Sequence, residues 1–326
     1  MKNFIIIILS VIALTLVVPV LIVKIPKNYA SDEFNSLSTP KPKASGKVKV
    51  YIKDRDCVVE MDSLQYLKEV VSAEMPADFH EEALKAQAVA ARTYMLNRQN
   101  AGPTDIHKGA DICTDSTHCK AWMSEADRKK AWGNDAEKNW QKISDAVEAT
   151  DDMVITYDGK LISAVFHSTS SGNTENAIDV WGGNVPYLVS VASQGDTESP
   201  KYNSSAEFPT EEFKKICEEN LTGINWDMGL FSDISRSEAG GIISLKIGGV
   251  TVKGTDFRTL FSLRSTNIDI KEENGKIIMT VKGYGHGVGM SQYGANYLAN
   301  QGKSYTEILK TYYTGVEVVN LTNLEN

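Results

Sequence analysis

Residues 63–97 read SLQYLKEVVSAEMPADFHEEALKAQAVAARTYMLN. Leu64, Leu67 and Val71 fall at helical spacing and predict one helix. Pro76 stops it, because a proline has no N–H to give and its ring clashes with the preceding turn. Asp78 and Glu81 then form an Asp-x-x-Glu capping signature for a second helix. That helix is rich in alanine, a strong helix former whose small side chain lets neighbours approach, and this places it in the core. Extending the first helix's apolar series by three lands on Glu74. Its carboxylate therefore sits on the apolar face and in the last turn, where desolvation and the negative end of the helix dipole both disfavour ionisation. That is the environment of a general acid kept protonated near neutral pH. The plainer alternative is a glutamate that turns to solvent past the helix end.

Around this stretch the pattern alternates. Residues 47–53 read as a strand. Residues 153–157 and 161–166 flank Asp158-Gly159, a hairpin signal. Residues 244–253 turn at Gly248-Gly249, and residues 268–281 turn near Asn274-Gly275. A short helix is expected near residues 211–220, and Ser304 with Glu307 makes a capping box for a helix closing at Gly315. Helices early, strands in the middle and helices late predict an α+β fold, with a helical and β-hairpin core and a smaller inserted mixed domain. The expected division is a core over 47–192 and 264–326, interrupted by the smaller domain at 193–263.

Net charge is −8, which argues against nucleic acid as a partner, since phosphates are met by clustered Lys and Arg. Residues 4–23 are uncharged and apolar, between Lys2 and Lys24. A run of this length spans a bilayer as a helix, so residues 1–24 predict a membrane anchor, with 25–46 as a polar tether and the folded part outside the cytoplasm. A cleaved signal peptide is the alternative.

His107, Cys113, His118 and Cys119 fall within thirteen positions of a chain that has five His and four Cys. Two imidazoles and two thiolates make a closed tetrahedral zinc site, which leaves no coordination position for a reactive water and is therefore structural. A Cys113–Cys119 disulfide with free histidines is the alternative. Cys57 and Cys217 have no nearby partner and read as buried apolar residues. Residues 284–296, YGHGVGMSQYGAN, combine glycines that let backbone approach a ligand with His286, Ser291, Gln292 and Tyr293. Residues 166–181, FHSTSSGNTENAIDVW, leave the end of the first hairpin as a polar loop.

Together AEMP, EALKAQAVAARTY, FHSTSSGNTE, PYLVSV, FRTLFSLRS, GYGHGVGMSQYGA and EILKTYY resemble the stage II sporulation protein D family, over about residues 59–316. One departure is Ser171, where the family pattern has a second glycine. The resemblance implies a lytic transglycosylase that cuts the glycan strands of peptidoglycan during spore engulfment, with Glu74 as acid and then base. It implies that Gln87, Arg92, Tyr94, Ser168, Ser170, Thr174, His286 and Gln292 line or support the glycan cleft. It also implies stage II sporulation proteins P and M, an amidase and a membrane anchor, as partners. Glycosidases ordinarily use two carboxylates, and if a second matters here Glu175 and Asp179 are the candidates. Two other readings stand beside this one. The first is a zinc hydrolase of the stem-peptide amide, and the second is a non-catalytic modifier of a cell-wall amidase.

Overall fold

A computed structural model describes residues 46–324, so the expected anchor and nearly all of the tether lie outside the described residues. Among the described residues no helix is long and apolar enough to cross a membrane.

The fold is mixed α+β. It opens with strands β1 (Lys47–Ile52) and β2 (Cys57–Asp62), paired antiparallel, followed by helices α1 (Ser63–Glu74) and α2 (Glu81–Ala101). A loop carrying β3 (Ile112–Cys113) returns to pair parallel with β1. Then come α3 (Glu125–Trp132), α4 (Ala136–Glu148) and β4 (Met153–Tyr157). Asp158 and Gly159 both take positive φ and turn β4 into β5 (Lys160–Leu161). The second arm of this hairpin is shorter than expected. After Leu161 the chain leaves β4, and β6 (Phe166–His167) belongs to another sheet.

α2 is the axle of the main core. Thirteen of its residues, from Ala83 to Leu96, are buried, and it packs against α1, α4 and β4 on its own side of the chain. Its cap departs from expectation: His80, not Asp78, is the N-cap, and the imidazole Nδ1 accepts from the Glu82 N–H. Asp78 lies two residues before the cap position, too early to reach the first free amides, and is exposed.

After α5 (Ala177–Trp181) a smaller module is inserted. Its elements are β7 (Asn203–Pro209), α6 (Thr210–Asn220), β8 (Phe231–Arg236), β9 (Ile242–Ile247), β10 (Val250–Lys253), α7 (Gly254–Leu260), β11 (Ile268–Glu273) and β12 (Lys276–Lys282). The sheets run β10-β9-β8 and β11-β12-β7, with turns at Gly248-Gly249 and Asn274-Gly275 where expected. Phe213, Phe257 and Phe261 centre a second core that also takes in Ile268, Ile277, Met279 and Val281. On packing grounds this module runs from 203 to 282, where composition points to 193–263. The hairpin after 263 pairs with β7 and fills the same core.

The chain then returns to the main core through β13 (Met290–Ser291), α8 (Gln292–Asn300), α9 (Tyr305–Tyr312) and β14 (Glu317–Asn320). β13 pairs parallel with β6, and β14 pairs antiparallel with β4. α8 and α9 pack on α2, and α9 opens with the expected Ser304–Glu307 capping box. Cys217 is buried in the second core as expected, whereas Cys57 is exposed because β2 is an edge strand with almost every side chain outward.

Candidate active site

Glu74 ends α1 on the face shared with Leu67 and Val71, at the meeting of α1, the loop after α2 and the start of α8. It is half-buried. Its Oε1 accepts the Ala121 N–H at 2.7 Å, and Gln292 Nε2 lies 3.4 Å from Oε2. Gln292 Nε2 also lies 3.5 Å from Gln87 Oε1, so two buried glutamines back the acid. Burial raises the Glu74 pKa, and the Lys120 charge, the Ala121 amide and the Gln292 amide partly oppose it. Lys120 is itself buried, with Nζ 4.1 Å from the Tyr94 ring centroid and 4.0 Å from that of Phe166.

The loop that supplies Ala121 and Lys120 is the one with the four ligand-type residues. His107 Nε2 and His118 Nδ1 are 3.1 Å apart, and Cys119 Sγ lies 3.3 Å from His107 Nε2. Cys113 and Cys119 Sγ are each 3.5 Å from His118 Nδ1. The four ligand atoms lie within 4.8 Å of one another, and both cysteines are free thiols. His118 and Cys119 do both turn inward, as a shared ion requires, so the donor set fits zinc. On the far side of Ala121, Glu69 anchors the loop by accepting from the Trp122 Nε1–H and the Glu125 N–H.

The glycine-rich segment forms the opposite wall. Gly285, Gly287 and Gly289 all have positive φ. A Cβ on Gly287 would run into the Glu175 side chain, so that loop can approach only as glycine. His286 accepts the Val288 N–H through Nδ1, and its ring lies 5.1 Å from Trp181 and 5.6 Å from His167. Burial, then His167, Lys120 and Arg258, hold His286 well below the usual imidazole range. Burial likewise takes His167 down to about 4. Both rings are neutral at physiological pH and act as hydrogen-bonding and stacking groups. Beside them, Glu175, Asp179, Trp181, Ser237, Lys253 and Thr266 line a cavity of about 210 Å³ between α5 and the smaller module.

The other predicted residues hold loops. Arg92 is buried and donates to the carbonyls of Val147 and Thr150, which fixes α2 to the α4–β4 turn away from Glu74. The Ser168 carbonyl accepts the Tyr293 N–H, and Thr174 Oγ1 accepts the Val191 N–H. Ser170 donates through both its N–H and its hydroxyl to Asp196. Asp196 also accepts from Ser193 and Ser291, so one buried carboxylate ties three polar loops. Sequence reasoning missed it, within the stretch at 193–263 assigned to the smaller domain. Asp196→Ala leaves these donors unpaired and is expected to cost on the order of 3 kcal/mol, read as a lower denaturation midpoint at unchanged slope.

A family model described as stage II sporulation protein matches residues 51–157. Stage II sporulation protein D of Bacillus subtilis (strain 168) is 35% identical across 98% of this chain and 96% of its own length. The chain belongs to the stage II sporulation protein D family. The Bacillus amyloliquefaciens relative of the same name is 40% identical over 83% of this chain and 78% of its own. The Bacillus subtilis protein named amidase enhancer is 30% identical over 76% of this chain and 39% of its own. The family match covers α1, α2 and the ligand-bearing loop, so the segment with Glu74 is the one its model describes.

Proposed function

We propose that the chain is a sporulation-specific peptidoglycan lytic transglycosylase with Glu74 as its acid and base. One observation carries this reading. Glu74 is a lone half-buried carboxyl with a raised pKa, and the groups bearing on it are Lys120, the Ala121 amide and Gln292, none of them a second carboxylate. Glu175 answers instead to Ser237, Gly241 and Asp179. A pair of carboxylates acting together on one bond would be expected to feel each other. A single acid suffices when the nucleophile belongs to the substrate.

The protonated Glu74 gives its proton to the glycosidic oxygen between muramyl C1 and the next sugar, and the C1–O bond breaks with the electron pair leaving on oxygen. The muramyl C6 hydroxyl then attacks C1, and its proton passes to the Glu74 carboxylate. The acid is restored and the product is a 1,6-anhydro sugar. The Ala121 N–H and Lys120 stabilise the carboxylate between the two transfers, and Gln87 and Gln292 orient it.

His107, Cys113, His118 and Cys119 would hold one structural zinc ion, which fixes the loop that delivers Ala121 and Lys120 to the acid. The anchor at residues 1–24 would keep the enzyme at the membrane with its folded part outside, alongside sporulation proteins P and M. A second reading, a non-catalytic amidase modifier that binds the wall, draws on the relative named amidase enhancer.

Purified glycan strands incubated with the protein and read by mass spectrometry test the proposal. Products lighter by one water than their hydrolytic counterparts are expected. Products with free reducing ends would make it a hydrolase, and binding without cleavage would favour the modifier reading. The first step needs Glu74 protonated, and burial raises its pKa. Cleavage should therefore persist above the ordinary carboxyl range, then fall about tenfold per pH unit once pH passes that raised value.

A further inference from the structure

The chain as a whole is acidic, at −8, yet cations gather on one side of the candidate site. Tyr284 is exposed at the head of the glycine-rich segment. The Lys201 ammonium lies 5.4 Å from its ring centroid and the Arg264 guanidinium 5.6 Å. Arg258, from α7 of the smaller module, is within electrostatic reach of Tyr284, His167 and His286. His286 in turn feels Lys120, and Lys120 acts on Glu74. The cations thus lead from the acid, past His286, to an exposed aromatic face. The hydrogen bonds of Arg258 and Arg264 go to the main-chain carbonyls of Leu263 and Lys201. Among the described residues no carboxylate forms an ion pair with Lys201, Arg258 or Arg264. Three like charges held together cost repulsion, and an anionic ligand would relieve it. Guanidinium groups suit carboxylates in particular, because their donors match the two carboxylate oxygens.

We propose that Lys201, Arg258 and Arg264, set around Tyr284, form a carboxylate-binding subsite that grips the anionic groups carried by the substrate strand. The subsite rests on the glycan-cleaving function proposed above. Peptidoglycan offers such carboxylates from two sources: the lactyl arm of a muramic acid that carries no peptide, or the stem peptide where one is attached. The uncharged sugar backbone has neither. Tyr284 gives the sugar ring next to the carboxylate a face to stack on, and the smaller module contributes two of the three cations.

The test measures affinity of the full chain, bearing Glu74→Gln to prevent turnover, for three labelled oligosaccharides. These are peptide-free glycan strands, peptide-bearing strands and chitin oligosaccharides, which share the backbone but lack the lactyl arm. Lys201→Gln/Arg264→Gln is expected to weaken binding to the carboxylate-bearing strands about tenfold, with chitin binding unchanged. Arg264→Lys, which keeps the charge but loses the paired donors, should weaken binding less than the double variant does. Both positions reach the surface, so the melting temperature should not move. A loss confined to peptide-free strands assigns the lactyl carboxylate, and one confined to peptide-bearing strands assigns the stem. Unchanged affinity in the double variant overturns the subsite, as does equal parent affinity for chitin and for the charged strands. Running the Glu74 parent on the same strands separates the two ideas. If it cleaves while the double variant binds normally, only the subsite falls. If the parent neither binds nor cleaves any strand, the glycan-cleaving function falls and the subsite with it.

Discussion

Glu74→Gln is expected to abolish release of 1,6-anhydro sugars, by at least about a thousandfold, while the protein stays folded. The replacement keeps the shape and an oxygen for the Ala121 N–H, and it removes the only proton that both half-reactions exchange. Stability separates this outcome from simple damage. The carboxyl pKa is raised in the folded state, so folding favours the protonated form. Its contribution is full below the ordinary carboxyl range and is lost as pH rises through the folded value. The glutamine variant should therefore match the parent at low pH and be at least as stable near pH 7. Residual anhydro products at more than a few per cent of the parent rate would show that another group is the acid.

Removal of the metal has the second large expected effect. The chain should purify with one zinc per molecule, measured by elemental analysis, and Cys113→Ser/Cys119→Ser should purify with none. Ile112 is the one large apolar side chain that the loop holding the four ligands buries in the main core. Losing the metal should lower the melting temperature by about 5–10 °C, corresponding to a few kcal/mol in a domain of this size. Glycan cleavage should fall as well, because the same loop ends in the Ala121 N–H and the Lys120 ammonium at Glu74. Absence of zinc together with loss of both thiols to titration would replace the metal by a Cys113–Cys119 disulfide.

Much of this was legible in the sequence, for local reasons. The Asp158-Gly159, Gly248-Gly249 and Asn274-Gly275 turns need positive φ, and the residues able to adopt it stand there in pairs. Glu74 was found because helical spacing alone fixes which face it occupies. The four ligand-type residues were found because they lie close along the chain and need no tertiary information. What escaped depends on contacts between distant segments. Lys120 and Ala121 follow Cys119 with no pattern of their own, and only the loop's return to α1 gives them a role. Asp196 gains its meaning from Ser170, Ser193 and Ser291, the last of them 95 positions away. Arg92 came from the resemblance alone, as a residue that lines or supports the cleft, and only the fold shows that its donors go to the carbonyls of Val147 and Thr150. The reach of the second core past residue 263 was hidden because the hairpin's partner strand, β7, lies some seventy residues earlier.

The parallel pairing of β6 with β13 joins residues 166–167 to 290–291, and the whole smaller module lies between them. α2 has one flank that stays open until α8 and α9 cover it. The main core is therefore a closure across a long gap, slow to form by chance and costly in chain entropy. The smaller module has local hairpin runs in β8–β9–β10 and β11–β12, a β7–β12 pairing that closes within the module itself, and its own aromatic centre, so it can fold while that gap is still open. Once folded, it shortens the loop to be closed by bringing residues 203 and 282 together as β7–β12 neighbours. An insertion that splits the main core in sequence thus becomes the bracket that lets the core's two halves find each other.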